Sequence, residues 1–421
     1  MKLLLVIHQF YPEFSGGTER VTLNLARAAQ RAGHHVHVLA ATVDSNACGG
    51  SLCAELEGAF DAVFQGVPVT FVPRSQLPSA ADYSFETDPG LVERLVAWLK
   101  FERFDLVHVM HPMRMGSILL AAQRCGVPYL LTLTDFFSVC FLINLINMSN
   151  QICPGSGRGA RCADDCLVAP WTNESFARRY QQAQGVLASA GARICPSEYV
   201  AKRYREEFPG QEFKVIPHGI DLLALQSEDV PVKHKVVGGG LTFGFVGSIV
   251  PQKGLDILLR AFSLVPDASL RLLVVGGMHG DAYHTDVVRR LAQADKRVEL
   301  LGRLPPGQAF GVIRELDVLC LPSTVPETFS LVLHEAAAVG VPALVSALGA
   351  PSVHISKHGG GQSLPPNDVQ AWAAAITNLV ENPQVLEDWR RELKLPLRVE
   401  EEAFFYESLY RQLCHSHSEQ A

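Results

Sequence analysis

Two glutamates eight positions apart, Glu327 and Glu335, stand in an otherwise apolar and small-residue run, PETFSLVLHEAAAVG. Pro326 and the residues after it predict a helix that begins at Ser330 or Leu331, which leaves Glu327 in the preceding loop. Glu335 then lies one turn inside that helix, on the face of its start. Backbone N–H groups at a helix start bind anions, and carboxylates accept hydrogen bonds from hydroxyls. The run therefore predicts a site for a ligand with both phosphates and hydroxyls, such as a sugar nucleotide.

A purely structural interpretation of the same two carboxylates, without a ligand, also stays open. Glu327 would be a first-turn glutamate favoured by the helix dipole, and Glu335 a solvated residue on the helix face. The apolar neighbours of Glu335 favour its burial instead.

The segment GSIVPQKGLDILLRAF predicts a second anion site, because it follows a strand and opens a helix. Gly247 lies at the turn, and Lys253 lies near the helix start, where a lysine and backbone N–H groups together suit a phosphate. The order G-x-x-x-x-G-K-[ST] is absent, so the segment is not a Walker loop. The alternative is that Lys253 is a solvated first-turn lysine.

Four cysteines fall in one glycine-rich insertion with 12, 8 and 3 residues between them: Cys140, Cys153, Cys162 and Cys166. Four thiolates could hold a structural zinc ion, although paired C-x2-C knuckles are missing. Free thiols are the second interpretation. Disulfides are the third, and they are rare in the reducing compartment expected for a chain without an export signal.

The elements that would position these residues alternate between strand and helix along the chain. KLLLVI, DLVHVM, PYLLTLTD and ARICPS are apolar strands of a first series, and LTFGFVGS, SLRLLVVGG, VELLG, DVLCLPS and VPALVSA form a second. Thr18 and Ser197 are the predicted caps of two helices in the first series. The polar stretch LQSEDVPVKHKVVGGG between the series has the composition of a linker. The pattern predicts an α/β protein with two doubly wound, Rossmann-like domains.

The bulk composition excludes several classes of protein. A chain of 421 residues with 48% hydrophobic composition can bury two cores, and its net charge of −7 gives no basic field for nucleic acid. The apolar start MKLLLVI ends at His8, too early for a signal peptide, and no apolar run is long enough to span a membrane. We expect a cytoplasmic protein that does not bind nucleic acid.

Four segments, in this order along the chain, are similar to segments of a known protein family: FYPEFSGGTERVTLNLARAAQRAGHHV, VIPHGIDL, FVGSIVPQKGLDILLRAF and PETFSLVLHEAAAVGVPALVS. Together with the E-x7-E spacing of Glu327 and Glu335, they resemble the family 4 retaining glycosyltransferases over most of the chain. The resemblance implies the GT-B fold, in which two Rossmann-like domains face a central cleft. The expected domains are residues 1–215, which would bind the acceptor, and residues 216–395, which would bind the nucleotide-sugar donor. A helical segment at about 396–421 is expected to pack back on the first domain.

By matching position, the resemblance implies that Lys253 binds the donor diphosphate, Glu335 the ribose hydroxyls and Glu327 the transferred sugar. Glu327, Lys253 and Asp135 are the predicted catalytic residues. The other predicted donor-binding residues lie at turns and helix starts: Gly16, Gly17, Gly247, Ser248, Phe329, Ser330 and Leu331. No cofactor is expected to be required for catalysis, because Lys253 and the helix starts would stabilise the departing diphosphate.

The resemblance implies a retaining transfer from a UDP- or GDP-linked sugar to a glycan or lipid-linked acceptor. Cell-envelope polysaccharide or O-antigen synthesis is the expected setting, with transient contact at the inner face of a membrane. The chain departs from the family pattern at Thr134, Ser248 and Ser352. These departures favour two alternatives: a catalytically silent GT-B scaffold or binding protein, and a sugar-nucleotide epimerase. His111, at a strand end, either contributes to the cleft or is satisfied by its neighbours.

Overall fold

A computed structural model describes residues 1–44, 49–223 and 240–418 of the chain. They form two compact units: unit 1 within residues 1–219 and 399–421, and unit 2 within residues 220–398. The first division falls at 219 against an expected 215, and the second at 398 against an expected 395. The expected linker LQSEDVPVKHKVVGGG lies outside the described residues except for its last glycine.

Unit 1 contains a nine-stranded sheet with the order β3-β4-β5-β2-β1-β6-β7-β8-β9. Its strands are β1 (Lys2–Ile7), β2 (His35–Thr42), β3 (Ser51–Leu52), β4 (Phe60–Phe64), β5 (Val67–Pro73), β6 (Leu106–Val109), β7 (Tyr129–Thr132), β8 (Ala192–Cys195) and β9 (Lys214–Val215). All neighbouring strands are parallel except β3 with β4 and β4 with β5. Every residue of β6 and β7 is buried, as the central strands of a sheet covered on both faces require.

Six helices connect these strands: α1 (Gly17–Arg31), α2 (Pro89–Glu102), α3 (Gly116–Cys125), α4 (Ala160–Asp165), α5 (Asn173–Ser189) and α6 (Glu198–Glu207). The predicted cap at Ser197 is confirmed, because its side chain accepts a hydrogen bond from the backbone N–H of Val200. The predicted cap at Thr18 is wrong. Gly16 occupies that position in extended backbone, so α1 begins one residue earlier than Thr18.

Unit 2 contains a six-stranded parallel sheet with the order β12-β11-β10-β13-β14-β15. Its strands are β10 (Thr242–Val246), β11 (Arg271–Val275), β12 (Val298–Gly302), β13 (Val318–Leu321), β14 (Ala343–Ser346) and β15 (Gly361–Leu364). Its helices are α7 (Leu255–Ser263), α8 (Ala282–Ala294), α9 (Pro306–Glu315), α10 (Leu331–Ala338), α11 (Gly349–His358), α12 (Val369–Glu381) and α13 (Gln384–Glu392). The predicted helix start at Ser330 or Leu331 is confirmed by α10.

The last helix, α14 (Val399–Ser418), belongs to unit 1. The hydroxyl of Tyr410 lies 2.7 Å from Nδ1 of His108 in β6, and the hydroxyl of Tyr406 lies 2.8 Å from Oγ1 of Thr132 in β7. Glu402 accepts a hydrogen bond from the backbone N–H of Gly219 at 2.8 Å. Buried polar contacts therefore bind the end of the chain to the central strands of unit 1.

Each sheet reverses its strand order at one position. In unit 1 the chain extends outward from β1 through β2 on one side and through β6 on the other. In unit 2 the same reversal lies between β10 and β13. Ligands of open α/β sheets bind at the carboxyl ends of the strands beside such a reversal. The loops after β1, β6, β10 and β13 are therefore the candidate ligand-binding loops. None of the described helices has the length and apolar character to cross a membrane.

Candidate functional site

The loops after β10 and β13 meet at the strand-order reversal of unit 2. Gly254, at the start of α7, has a φ of 64°, and a Cβ there would lie 2.1 Å from the carbonyl oxygen of Pro322. The backbone N–H of Thr324 donates to the carbonyl of Gln252 at 2.9 Å. Glycine is required at 254 because only a residue without a side chain allows this approach in left-handed backbone.

Lys253 and Glu327 form an ion pair where these two loops meet. The Nζ of Lys253 lies 2.9 Å from Oε1 of Glu327, with 34% of the lysine side chain and 11% of the glutamate side chain exposed. Ser323 donates a hydrogen bond to the same carboxylate. Burial alone would raise the pKa of Glu327, but Lys253 and Ser323 outweigh it and hold that pKa below its ordinary value. The site thus contains a mostly buried, ionised carboxylate beside an ammonium group on a side chain that is about one-third exposed.

A third loop, between β14 and α11, fixes the backbone of Glu327. The N–H of Ala350 donates to the carbonyl of Glu327 at 2.7 Å. A Cβ at Gly349, whose φ is 68°, would lie 2.4 Å from both the backbone N and O of Glu327. Gly349 therefore allows close backbone packing that holds the Glu327 loop in place.

The start of α10 is built as the sequence predicts, and Glu335 is buried. Ser330 adopts left-handed backbone with a φ of 75°, immediately before the first helical residue, Leu331. The ring of Phe329 stacks on His334 with centroids 4.1 Å apart. Only 4% of Glu335 is exposed, so its interpretation as a solvated helix residue is wrong.

Gly247 and Ser248 lie directly after β10, beside the end of β11. The backbone N–H of Gly247 donates to the carbonyl of Val275 at 3.0 Å, and a Cβ at Gly276 would lie 1.9 Å from the Gly247 oxygen. Ser248 is exposed. All the predicted donor-binding residues of unit 2 thus lie in two strand-to-helix loops, after β10 and after β13, or within α10.

The predicted glycines of unit 1, Gly16 and Gly17, are exposed at the start of α1. A Cβ at Gly16 would lie 2.6 Å from Oε2 of Glu19, a carboxylate that is only 2% exposed. Gln9 donates to the other oxygen of Glu19 at 2.8 Å. Glu19 therefore joins the loop after β1 to the first turn of α1.

Asp135 lies three residues after β7, close to the histidine that follows β6. Oδ2 of Asp135 lies 2.6 Å from Nε2 of His111, and the ring of His111 packs 4.1 Å from the ring of His8. His8 directly follows β1, and its Nε2 lies 3.8 Å from Oε1 of Glu19. Burial, with smaller contributions from His111 and Arg114, lowers the pKa of His8 well below its ordinary value.

The structure brings some predicted residues together and separates others by unit. Lys253 pairs with Glu327 in unit 2, whereas Asp135 lies in unit 1. Two polar residues of unit 1 had no predicted role: His8 and Glu19. The signal that points to His8 is its position directly after β1, a central strand beside the strand-order reversal.

The four cysteines of the insertion are buried, free thiols. Cys162 and Cys166 pack with Phe141 and Phe176 in a small apolar cluster. Burial raises the pKa of Cys140 to about 11 and that of Cys162 to about 12. The disulfide interpretation has no support, and the structural zinc ion stays a prediction.

Another set of side chains has the spacing that a metal ion needs. Among the described residues, Cys53, Glu55 and Asp61 are the one group of three or more such side chains whose ligand atoms all lie within 4.8 Å of one another. No three of the four insertion thiols approach each other this closely. Glu55 is exposed and Cys53 is buried.

Two protein-family models match this chain in succession. The model described as Glycosyltransferase Family 4 matches residues 15–222, and the model described as Glycosyl transferases group 1 matches residues 240–382. The break between them falls beside the division between unit 1 and unit 2.

Curated relatives match over different lengths. A D-inositol 3-phosphate glycosyltransferase of Corynebacterium glutamicum (strain R) is 29% identical over 42% of this chain and 43% of its own length. The chain thus spans less than half the length of that relative. A phosphatidyl-myo-inositol mannosyltransferase of Mycolicibacterium smegmatis is 24% identical over 88% of this chain and 82% of its own length.

Among solved structures, HepE of Anabaena in complex with UDP and glucose superposes with a TM-score of 0.67 and 18% sequence identity. The superposition covers 97% of this chain and 99% of HepE. At this identity the likeness shows the fold alone, which is the GT-B fold. With both family models matched in order and Glu327 of the E-x7-E pair beside Lys253 in unit 2, the chain belongs to the family 4 glycosyltransferases.

Proposed function

We propose that this protein is a retaining glycosyltransferase that moves a sugar from a nucleoside diphosphate, UDP or GDP, to a glycan or lipid-linked acceptor. The names of the two inositol relatives support an acceptor with a phosphorylated polyol or a lipid headgroup. The proposed setting is cell-envelope polysaccharide or O-antigen synthesis, with transient contact at a membrane surface.

The observation that carries this proposal is the Lys253–Glu327 pair at the strand-order reversal of unit 2. An ammonium group beside the loop that leads into α10 suits a diphosphate, and a mostly buried, ionised carboxylate suits sugar hydroxyls. Glu335, one turn further along α10, supplies a second buried carboxylate for the ribose hydroxyls. Phosphate and hydroxyl groups on one ligand match this arrangement.

In the proposed reaction, the bond between the anomeric carbon and the diphosphate oxygen breaks, and a bond to the acceptor oxygen forms on the same face of the sugar. The proton of the acceptor hydroxyl passes to an oxygen of the departing phosphate. Negative charge develops on the diphosphate while the sugar gains oxocarbenium character, so stabilisation of the leaving group contributes most. Lys253 and the amides at the start of α10 are the groups proposed to supply it.

The first experiment screens UDP, GDP and ADP, with and without an attached sugar, for thermal stabilisation of the full chain. A ligand that binds only the native state raises the melting temperature. The best donor is then tested for release of nucleoside diphosphate, with D-inositol 3-phosphate and phosphatidylinositol vesicles as acceptor probes.

Lys253→Met tests the role of the ammonium group. Removing a group that stabilises developing charge costs about 10²-fold or more in turnover, so we expect a loss of this size. Arg390→Met is the matched control, because Arg390 is also about one-third exposed and pairs with Asp317 at 3.1 Å in the same unit, near the amino end of β10. Equal loss in both variants would contradict the proposal.

Two outcomes with the wild-type protein would support the alternative functions. Nucleotide binding without release of nucleoside diphosphate would support the binding-protein alternative. Conversion of the sugar nucleotide to its epimer without an acceptor would support the epimerase.

A further inference from the structure

We propose that His111 is a positioning residue that holds the carboxylate of Asp135 as a hydrogen-bond acceptor for a hydroxyl of the substrate. This inference rests on the proposed glycosyl transfer and assigns a substrate contact within unit 1. The ligand chemistry is that of a sugar or polyol hydroxyl, whether it comes from the donor sugar or from the acceptor.

The pair lies where the fold of unit 1 favours a ligand. His8 follows β1 and His111 follows β6, the two strands on either side of the strand-order reversal. Asp135 follows β7, the next strand of the same sheet. Because parallel strands have their carboxyl ends on one edge, all three side chains belong to the edge at which such sheets bind ligands.

Hydrogen bonds determine which nitrogen of His111 carries the proton. The backbone N–H of Met113 donates to Nδ1 of His111 at 3.1 Å, so Nδ1 is the acceptor nitrogen. The proton of the neutral ring is then on Nε2, which donates to Oδ2 of Asp135 at 2.6 Å. Both nitrogens are engaged, so His111 has no lone pair left to remove a proton from a substrate. Its role is to orient Asp135.

The carboxylate of Asp135 is fixed from several directions and still partly open. Oδ1 accepts from the backbone N–H of Phe137 at 2.8 Å, and the backbone carbonyl of Asp135 accepts from the hydroxyl of Tyr204 at 3.0 Å. About a quarter of the side chain, 26%, is exposed. Each carboxylate oxygen has two lone pairs, so each can accept one more hydrogen bond. A fixed, ionisable acceptor with spare capacity suits a hydroxyl donor.

The charged groups around the pair are themselves partnered. Arg114 forms an ion pair with Asp82, and its guanidinium also donates to the carbonyl of His8 at 3.4 Å. Oε1 of Glu19 lies 3.8 Å from Nε2 of His8. Burial keeps His8 neutral beside His111. Buried Arg179 is a nearby cation whose charge acts on Asp135, and its guanidinium donates to the backbone carbonyls of Phe137 and Cys140.

The test compares His111→Leu, Asp135→Asn and His111→Gln in the full chain. A hydrogen bond to a charged group that is made in the transition state is worth about tenfold or more in kcat/KM, so the first two variants should lose at least that much. Glutamine keeps an N–H donor near the position of Nε2 and should restore most of the activity. His37→Leu is the matched control. It removes a histidine of β2, in the same sheet, whose Nε2 lies 2.8 Å from the hydroxyl of Thr70 in β5.

Two assays distinguish the source of the hydroxyl. If it belongs to the donor sugar, the loss appears in hydrolysis of the sugar nucleotide without an acceptor. If it belongs to the acceptor, the loss appears only in transfer, as a raised KM for the acceptor. Unchanged kinetics in His111→Leu, or failure of His111→Gln to restore activity, would overturn the proposal.

A second measurement does not depend on turnover. Nitrogen-15 NMR of the ring should show His111 neutral with its proton on Nε2, and Asp135→Asn should change that signal. A proton on Nδ1 would overturn the proposal. UDP or GDP stabilisation through Lys253 should persist in His111→Leu. Its absence from the wild type would contradict the proposed function, while the NMR result would still decide the His111–Asp135 pair.

Discussion

At the scale of single residues, glycines shape the unit 2 site by allowing backbone segments to touch. Gly254 lets the loop before α7 reach Pro322, and Gly349 lets the loop before α11 reach Glu327. Both have positive φ values, 64° and 68°. Any side chain at these positions would meet a backbone atom, which cannot rotate away as a flexible side chain can.

Gly254→Ala is therefore expected to destabilise unit 2 and to weaken nucleotide binding. Left-handed backbone alone costs alanine about 1 to 2 kcal/mol, and the clash with Pro322 adds to it. Gly302→Ala is the matched control, because Gly302 has a φ of 72° in the same unit and has open space around its Cβ position. Urea denaturation and nucleotide thermal shifts measure both effects. Equal losses in the two variants would show that the contact with Pro322 is unimportant.

The sequence could predict where Lys253 and Glu327 lie because each is close to a local signal, a strand end or a helix start. It could not predict that they pair, since 74 positions separate them (327 minus 253) and only the sheet order brings their loops together. The same limit applies to His111 and Asp135. Local periodicity identifies elements, whereas the partner of a side chain depends on which strands become neighbours.

At the scale of elements, the buried strands and the starts of α6 and α10 were predictable, whereas the start of α1 and the edge of the unit 1 sheet were not. β4 and β5 form an antiparallel hairpin joined by Gln65 and Gly66, whose φ values are 48° and 81°. Two consecutive positive φ values are typical of a type I′ turn, for which Asn-Gly is the usual signal. Gln-Gly is a weak form of that signal. The sequence pattern therefore predicted strands separated by helices and did not predict this hairpin.

The cysteine insertion is an element whose chemistry can be measured directly. At pH 7.5 a thiol with a pKa of about 11, such as Cys140, is ionised in about one molecule in three thousand. We expect iodoacetamide to modify Cys140 and Cys162 slowly in the native protein and rapidly in urea, as read by mass spectrometry. Half-buried Cys125 and Cys414 are internal references.

A chelator distinguishes the two remaining interpretations of the insertion. If a structural zinc ion holds the four thiols, chelation should increase the modification rate of all four together. Unchanged rates would favour free thiols held by burial alone. Rapid native modification of Cys140 would contradict the burial seen in the structure.

At the scale of the whole molecule, the chain returns to unit 1 through α14 and completes a buried polar network there. His108 lies between the hydroxyls of Tyr410 and Thr132, both 2.7 Å from its ring nitrogens. Burial, and to a lesser degree His218, lowers the pKa of His108 to about 3. The network joins residues 302 positions apart, so its stability reports on the docking of the last helix.

This network predicts acid sensitivity of unit 1. The folded state keeps His108 neutral below pH 6.5, whereas the unfolded chain binds a proton there, so stability falls as the pH falls from about 6.5 toward 3. One such group contributes a slope of up to about 1.4 kcal/mol per pH unit. His108→Gln should reduce the slope of unfolding free energy against pH by about that amount between pH 6 and 5, measured by urea titration. His35→Gln, at an exposed position in β2, should leave the slope unchanged. If His108→Gln has the same slope of unfolding free energy against pH as the wild type, His108 does not stay neutral in the folded protein. The ring that contacts Tyr410 would then be charged.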